Sequence, residues 1–159
     1  MAAGESAGIL LFRNRPAPEV LLVHPGGPFW AKKDLGAWSI PKGGPGEGED
    51  PRHCALRELA EELGPSAPSI DLAELIELGS IRQKGGKVVH AWAVEGEFDP
   101  AALDSNRFEL EWPPRSGTLS EFPEVDRAEW FEPAEAQRRI LPAQAELVVR
   151  LLNTLTAPE

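Results

Sequence analysis

The sequence predicts an α+β domain built around a mixed β-sheet. Short hydrophobic runs bounded by proline and glycine recur through the first and middle parts of the chain, as expected for strands. Longer segments with helical spacing of hydrophobic residues occur once among these runs and again at the end. This order of elements favours an α+β fold, and the length of 159 residues fits one domain spanning residues 1–159.

The first third of the chain contains three predicted strands. Gly8–Arg13 and Val20–His24 are apolar runs joined by a turn with two prolines, which is typical of a hairpin or of neighbouring strands. A third short strand is expected at Trp38–Ile40, where Pro41 would end it. The segment that follows, Lys42–Asp50, is rich in glycine and is expected to form a loop.

The central helix has signals at both of its ends. Asp50 is a favourable N-cap residue and Pro51 suits the first helical position, so a helix is expected to begin there. Gly64 and Pro65 are stop signals, which predicts that the helix ends near Leu63. The predicted buried stripe of this helix follows helical spacing and consists of Leu56, Leu59, Ala60 and Leu63.

The remaining elements follow from turn signals and periodicity. Gly85-Gly86 is a two-residue hairpin signal between two strands, and Pro113-Pro114 ends a third. The predicted strands are Leu75–Lys84, Val88–Glu95, Arg107–Trp112 and Glu129–Phe131. The predicted terminal helices are Pro133–Ile140 and Pro142–Leu155.

Composition and charge restrict the function. The formal net charge of −10 disfavours binding to a nucleic acid polymer, but not to a small anion held by local cations or a metal. No apolar run approaches the ~20 residues of a membrane span, and no basic segment precedes the first apolar run, so neither a membrane nor a secretory signal is expected. The single cysteine, Cys54, predicts a buried thiol in a cytoplasmic protein. The isolated histidines, expected to be structural or surface residues, are His24, His53 and His90.

The central helix carries three glutamates on one face. Glu58, Glu61 and Glu62 follow helical spacing, and each like-charge pair on an exposed helix costs roughly 0.2–0.5 kcal/mol. No lysine or arginine is expected on that face, because Arg57 lies to its side. A hard divalent cation such as Mg²⁺ or Mn²⁺ prefers oxygen ligands and would relieve the repulsion. A solvated acidic face is the alternative that the helix alone leaves open.

The residues before and along this helix match a known pattern. Its fixed positions, separated by five and then by seven residues, are Gly43, Glu49, Arg57-Glu58-Leu59, Glu61-Glu62 and Gly64. The segment GGPGEGEDPRHCALRELAEELG therefore resembles the Nudix box. It departs from that box at Pro65, where a hydrophobic residue is usual. The order of strands around the helix is similar to that of the Nudix family over most of the chain.

This resemblance implies a fold and a chemistry. The fold would be an α/β/α sandwich with a central mixed sheet and a catalytic loop-helix-loop. The activity would be a Mg²⁺- or Mn²⁺-dependent hydrolysis of a nucleoside diphosphate linked to another group, in which metal ions neutralise phosphate oxygens and activate water. The implied metal ligands are Glu58, Glu61, Glu62 and the carbonyl group of Gly43. Glu58 would also act either as general base or as an anchor for the metal-bound water, and Arg57 and Glu49 would orient the carboxylates.

Residues outside the box are candidates for contacts with the substrate. They are Lys42, Trp30, Lys32, Lys33, Arg115 and Ser116. The tryptophan ring can stack on a base and the lysines can meet phosphates. The arginine and serine follow two prolines, in a turn that can bind phosphate. The alternatives are solvated loop residues and an aromatic ring at the edge of the core.

An acid outside the box completes the predicted site. Nudix enzymes often place such a carboxylate near the metals, and the strand Arg107–Trp112 turns two glutamates to one face. Glu111 is the candidate, with Glu109 and Glu95 behind it. A solvated strand face is the alternative.

Two substrate branches follow from the resemblance. The run Pro41-Lys42-Gly43 is similar to the start of the box in the diadenosine tetraphosphate hydrolase branch, which favours a dinucleoside polyphosphate. A mononucleotide, either an oxidised deoxynucleoside triphosphate or a nucleotide sugar, is the other branch. A Nudix-fold module that binds a ligand without turnover and an acidic domain that binds a protein partner are alternatives of other classes. The intact glutamates of the box favour an enzyme.

Overall fold

The computed structural model describes residues 4–156. The strands in this part of the chain are β1 (Glu5–Asn14), β2 (Pro18–Pro25), β3 (Lys42–Gly43), β4 (Ile76–Arg82), β5 (Val88–Glu95), β6 (Arg107–Glu111), β7 (Leu119–Pro123) and β8 (Val125–Phe131). The α-helices are α1 (Pro51–Leu63), α2 (Pro133–Arg139) and α3 (Ala145–Thr156). Within residues 4–156, none of the helices has the length and apolar character needed to cross a membrane.

A mixed sheet forms the centre of the fold. Its strands lie in the order β4-β5-β1-β2-β8, and β3 pairs with the N-terminal part of β1. β1 runs parallel to β5, with Glu5 opposite Val88 and Phe12 opposite Glu95, whereas its hairpin with β2 is antiparallel. This combination of parallel and antiparallel pairs confirms the predicted mixed sheet.

Hydrophobic layers cover both faces of the sheet. Because alternate residues of a strand point to opposite faces, Ile9 and Leu11 pack in one layer with Leu59 of α1. Leu10 lies in the opposite layer, which contains Leu147 of α3 and is also covered by α2. The arrangement of helix, sheet and helices confirms the expected α/β/α sandwich.

The third predicted strand, Trp38–Ile40, is wrong. Ser39 forms an isolated antiparallel bridge to Val23, and Trp38 forms a parallel bridge to Ile140. These two bridges join different partners, so no continuous ladder forms. The fully buried Trp38 ring instead packs in the hydrophobic layer beneath α2 and α3.

The first residues of the predicted glycine-rich loop form β3. Lys42 pairs with Gly8, and Gly43 pairs with Ala7. Gly8 permits this close approach, because a Cβ at that position would lie 2.6 Å from the carbonyl oxygen of Pro41. Sheet pairing therefore fixes the beginning of the segment that leads into α1.

Two hairpins differ from the prediction. Residues 83–87 join β4 and β5, in place of a two-residue turn, and the Gln83 amide donates to the Lys87 carbonyl group. β6 pairs with β7, which the pattern did not predict, and this hairpin lies outside the central sheet. β7 could not be predicted because an apolar residue, Leu119, and a charged residue, Glu121, share its exposed face. Its sequence therefore lacks the apolar–polar alternation of a half-buried strand.

Candidate active site

Local signals fix both ends of α1, as predicted. The Asp50 carboxylate accepts a hydrogen bond from the Arg52 amide at 2.8 Å, and Pro51 occupies the first turn. At the other end, Gly64 has a φ of 93° and lies against Asp104, where a Cβ would overlap the carbonyl oxygen. These contacts hold α1 in a fixed position relative to the segment that leads into β6.

The buried face of α1 differs from the predicted stripe. Ala60 is exposed, whereas Ala55, Leu59 and Glu62 recur at helical spacing on the buried side. Glu62 was expected on the solvent face, yet it is only 8% exposed. One carboxyl group of the box therefore lies inside the protein.

Arg57 binds two of the box glutamates. Its Nε and Nη2 each donate to the Glu49 carboxylate at 2.8 Å, and its Nη1 donates to the Glu61 oxygens at 2.8 and 3.0 Å. The hydrogen bonds from Arg57 lower the pKa of Glu49 to about 2. The expectation that no cation offsets the acidic face is therefore wrong, because Arg57 neutralises Glu61.

The Glu58 carboxylate lies directly against the backbone of Gly43. A Cβ at position 43 would overlap this carboxylate, so glycine at this position allows the observed placement of Glu58. Glu58 Oε2 is buried and has no hydrogen-bond partner among residues 4–156. Burial, followed by repulsion from Glu61, raises the pKa of Glu58. A buried oxygen without a partner is costly and marks a position that a cation would occupy favourably.

The charges around Glu62 oppose its ionisation. Burial, followed by repulsion from Glu58 and Glu124, raises the pKa of Glu62 to about 8, although Lys42 acts in the opposite direction. Burial is also the main cause that lowers the pKa of Lys42. Partial desolvation raises the pKa of Glu124. The carboxyl groups of Glu58, Glu62 and Glu124 all have raised pKa values in the metal-free protein, so their joint ionisation is unfavourable.

The donor chemistry fits a hard divalent cation. Glu58, Glu62 and Glu124 offer carboxylate oxygens, which Mg²⁺ and Mn²⁺ prefer. In the described part of the chain, no three His, Cys, Asp or Glu side chains converge into a preformed site, and Arg57 holds Glu61 in an ion pair. Glu61 is therefore engaged by Arg57 rather than directed towards the other carboxylates.

An open cavity of about 410 Å³ lies beside these acids. This volume is within the range of about 300–1,000 Å³ that is common for small-molecule sites. Lys42, Glu62 and Glu124 form its polar side. The apolar wall includes Val23, Trp30, Ile40, Phe108, Val125 and Leu141.

The structure brings two of the predicted substrate-binding residues to this cavity. Lys42 and Trp30 line it, and the Lys33 ammonium group lies 4.9 Å from the centre of the Trp30 ring. Lys32 is exposed in the same loop. Phe108 of β6 also forms part of the apolar wall of the cavity. An aromatic surface and positive charge therefore occur together at one side of the cavity.

The turn between β6 and β7 holds three other residues that the sequence assigned to the site. The exposed Glu111 carboxylate accepts hydrogen bonds from the amides of Arg115 at 3.2 Å and Gly117 at 3.1 Å, and Ser116 is exposed beside them. Among the described residues, these do not belong to the lining of the cavity. Glu111 closes the turn of the hairpin, and the structure does not bring it to the glutamates of α1. The further candidates, both exposed on their strands, are Glu95 and Glu109.

Glu124 is the acid that the fold places near α1 instead. Its amide donates to the Asn106 carbonyl group at 2.8 Å, and the Asn106 amide donates to the Glu61 carbonyl group at 3.0 Å. The Glu124 carbonyl group accepts from the Gly26 amide at 2.9 Å. Glu124 cannot be identified from the sequence, because its position depends on these long-range backbone contacts and no local pattern distinguishes it.

Cys54 is buried in α1, as predicted. Burial raises the pKa of its thiol to about 11. The thiol donates weakly to the Gly43 carbonyl group, at a sulfur–oxygen distance of 3.5 Å. A thiol in this environment stays protonated at neutral pH and packs as a small apolar group.

The fold and the acidic cluster define the class of protein. The family model of the NUDIX domain matches residues 3–152, and the chain therefore belongs to the Nudix family. It is a Nudix pyrophosphohydrolase, an enzyme that hydrolyses phosphoanhydrides. Nudix enzymes generally use divalent metal ions.

Curated relatives carry the same activity in their names. The chain is 28% identical over 162 residues to an RNA pyrophosphohydrolase of Brucella ovis, covering 88% of this chain and 86% of the relative. It is 27% identical over 164 residues to an RNA pyrophosphohydrolase of Roseobacter denitrificans, covering 90% and 92% of the two chains.

Solved structures share the fold. A binary complex of the C. elegans Ap4A hydrolase matches with a TM-score of 0.63 at 20% identity, covering 94% of this chain and 97% of that chain. The NUDIX domain of Shewanella oneidensis NrtR, in complex with ADP ribose, matches with a TM-score of 0.62 at 18% identity, covering 98% and 90%. These matches confirm the Nudix fold.

Proposed function

We propose that this chain hydrolyses a nucleoside polyphosphate with the help of Mg²⁺ or Mn²⁺ bound at the glutamates of α1. The observation that carries the proposal is the buried Glu58 Oε2, which has no partner among residues 4–156. It lies near Glu62, which lines the open cavity. A nucleotide in the cavity would thus present its phosphates to the acidic cluster.

The proposed metal ligands combine side chains and one backbone group. They are Glu58, Glu61, Glu62 and the carbonyl oxygen of Gly43, with Glu124 as the acid outside the box. A divalent cation bound among them would neutralise phosphate oxygens and favour attack by water. Glu61 takes part when Arg57 releases it, while Arg57 keeps its two hydrogen bonds to Glu49 and so holds the loop before α1.

Glu58 is the proposed general base. Burial and the nearby acids raise its pKa, and a carboxylate whose pKa is closer to the working pH is a more effective base. Its Oε2 makes no hydrogen bond within residues 4–156, so its lone pairs are available for a proton from the attacking water molecule. Burial and the neighbouring acids raise the pKa of Glu62 to about 8 in the metal-free protein, so metal binding there is expected to release a proton.

The cavity is the proposed site for the nucleoside. Trp30 and Phe108 offer aromatic surfaces to a base, and stacking of this kind is worth ~1–3 kcal/mol per base. Lys42 lies on the polar side of the cavity and is the proposed phosphate ligand. Lys32 and Lys33 supply further positive charge in the loop that carries Trp30.

A dinucleoside polyphosphate is the proposed substrate class. The cavity is open, so one nucleoside can bind inside while the rest of the molecule extends into solvent. A second candidate is RNA, because the relatives from Brucella ovis and Roseobacter denitrificans are named RNA pyrophosphohydrolases. The net charge of −10 opposes a long RNA more than a dinucleotide.

A substrate panel tests the proposal. Product release is measured with Mg²⁺ and with EDTA for diadenosine tetraphosphate, ATP, an oxidised deoxynucleoside triphosphate, ADP-ribose and a 5′-triphosphorylated oligoribonucleotide. We expect Mg²⁺-dependent turnover that is fastest with the dinucleotide and lost in Glu58→Gln. Glu109→Gln, an exposed glutamate of the hairpin, is the matched control and should retain the wild-type rate.

Each other outcome of the panel has a defined meaning. Faster turnover of the oligoribonucleotide would favour the RNA substrate, and faster turnover of ATP, the oxidised nucleotide or ADP-ribose would favour the mononucleotide branch. Binding of a nucleotide without turnover in Mg²⁺ or Mn²⁺ would identify a ligand-binding module and overturn the proposed hydrolysis.

A further inference from the structure

We infer that His24 is a positioning residue that joins two walls of the cavity and thereby sets the affinity for the nucleoside. His24 lies in β2 and is 1% exposed. It belongs neither to the Nudix box nor to the proposed metal ligands. The identity of the bound nucleoside rests on the proposed function, whereas the connection between the walls rests on hydrogen bonds alone.

Both ring nitrogens of His24 face oxygen acceptors. Nδ1 lies 2.8 Å from the carboxylate Oδ1 of Asp126, and Nε2 lies 2.6 Å from the carbonyl oxygen of Lys33. The imidazole meets each of these two acceptor oxygens through one of its ring nitrogens. One side chain thus binds the loop between β2 and β3 and the beginning of β8.

The hydrogen bond to Lys33 leads to the aromatic wall. Lys33, whose carbonyl oxygen accepts from His24, donates its own amide to the Trp30 carbonyl group at 2.9 Å. Two successive hydrogen bonds therefore connect the buried imidazole to Trp30, which lines the cavity. The Lys33 ammonium group over the Trp30 ring adds a second contact within the loop.

The hydrogen bond to Asp126 leads to the acidic wall. Asp126 follows Glu124 and Val125, which both line the cavity. The strand that carries Asp126 is paired with β2, where Arg127 is opposite His24, and the Gly26 amide donates to the Glu124 carbonyl group. His24 therefore fixes the loop that contains Trp30 and Lys33 relative to β8, which begins next to Glu124.

The loop has a second anchor, which includes an ion pair that does not involve His24, while the Trp38 ring meets the imidazole with 5.2 Å between ring centres. The Asp34 carboxylate accepts from Trp38 Nε1 at 2.8 Å and forms an ion pair with Arg139 at 2.8 Å. Because this ion pair persists when His24 is changed, the loop stays attached and the fold survives. The effect of such a change is confined to the part of the loop that contains Lys33 and Trp30.

Two substitutions separate the two tethers. In His24→Gln the side-chain amide nitrogen takes the place of Nε2 and can still donate to the Lys33 carbonyl group. In His24→Asn it takes the place of Nδ1 and can still donate to Asp126, but the tether to the loop is lost. Each variant loses one buried hydrogen bond, so their melting temperatures are expected to decrease by similar amounts.

Kinetics with diadenosine tetraphosphate and ATP distinguish positioning from general stabilisation. We expect His24→Asn to raise KM by about tenfold with a change in kcat below about threefold, because the nucleoside wall is displaced while the acids remain. His24→Gln should keep KM within about threefold of the wild-type value. Equal increases of KM in the two variants, or no increase in either, would overturn the inference.

Hydrogen exchange tests the tether without any substrate or metal. The amides of residues 30–34 should exchange faster in His24→Asn than in the wild type and in His24→Gln, and His90→Asn on β5 serves as the control. Unchanged exchange in His24→Asn would overturn the inference whatever the activity. Faster exchange together with an absence of turnover in the wild type would support the tether and contradict only the proposed function.

Discussion

Arg57 and Glu61 form an ion pair in which Arg57 Nη1 lies 2.8 and 3.0 Å from the two carboxylate oxygens of Glu61. The same guanidinium group donates to Glu49 through Nε and Nη2. Arg57 therefore connects the loop before α1 to the helix itself. A divalent cation bound at the proposed site would have to displace Arg57 from Glu61.

Replacing Arg57 by lysine tests this role. Lysine keeps the charge but cannot donate parallel hydrogen bonds to two carboxylates, so Glu49 and Glu61 lose their fixed orientation. We expect kcat to fall by about tenfold or more, which corresponds to ~1.4 kcal/mol. Rates measured across a Mg²⁺ titration check this, with Arg52→Lys on the exposed side of α1 as the control. A similar kcat for the two variants would show that Arg57 does not orient the site.

The pKa of about 8 for Glu62 predicts how the metal-free protein responds to pH. The folded-state pKa lies above the ordinary value of 4.5. The stabilising contribution of the protonated group is therefore complete below pH 4.5 and is lost as the pH rises from 4.5 through about 8. Thermal denaturation in EDTA should therefore show a Tm that declines over this range, and Glu62→Gln should reduce the decline. An identical pH dependence in wild type and variant would refute the assignment.

Glu124 and Glu111 provide a direct comparison of the two acids outside the box. Glu124 lines the cavity and raises the pKa of Glu62, whereas Glu111 accepts from the amides of a distant turn. We expect Glu124→Gln to lower kcat by at least about tenfold and Glu111→Gln to leave it within about threefold. Steady-state rates at saturating Mg²⁺ measure both, and the reverse ranking would restore the choice made from the sequence.

The contact between Gly43 and Glu58 predicts a strict requirement for glycine. A methyl group at position 43 would overlap the Glu58 carboxylate, whereas at Gly44 the nearest atom lies 4.0 Å away. Gly43→Ala is therefore expected to displace Glu58 and lower kcat by about a hundredfold, while Gly44→Ala retains the wild-type rate. Comparable activity in the two alanine variants would contradict the observed packing.

Local chemistry explains what the sequence could predict. The cap at Asp50, the proline that follows it and the stop at Gly64 act within one turn of the helix ends, so α1 was predicted with its observed bounds. The spacing of the box glutamates was likewise visible along the chain. The burial of Glu62 was not, because it depends on which side of the helix packs against the sheet.

Long-range contacts explain what the sequence could not predict. Glu124 reaches the site through backbone hydrogen bonds to Asn106 and Gly26, residues that are distant in the sequence. β3 forms because Gly8 lets another backbone approach closely. Glu111 lies in a strand whose apolar and polar residues alternate clearly. Such alternation predicts the face to which a side chain points, but not the sheet to which the strand belongs.

The Glu58→Gln variant provides the most direct test of the central claim that the acidic cluster of α1 hydrolyses a phosphoanhydride. The substitution removes the proposed base and one metal ligand but keeps the shape of the side chain, and it also removes a buried charge that is repelled by Glu61. The kcat for the best substrate of the panel, measured with Mg²⁺, is expected to fall by at least about a hundredfold, with a Tm equal to or above that of the wild type. A folded Glu58→Gln protein that retains kcat within about threefold of the wild-type value would show that Glu58 is neither the base nor an essential metal ligand.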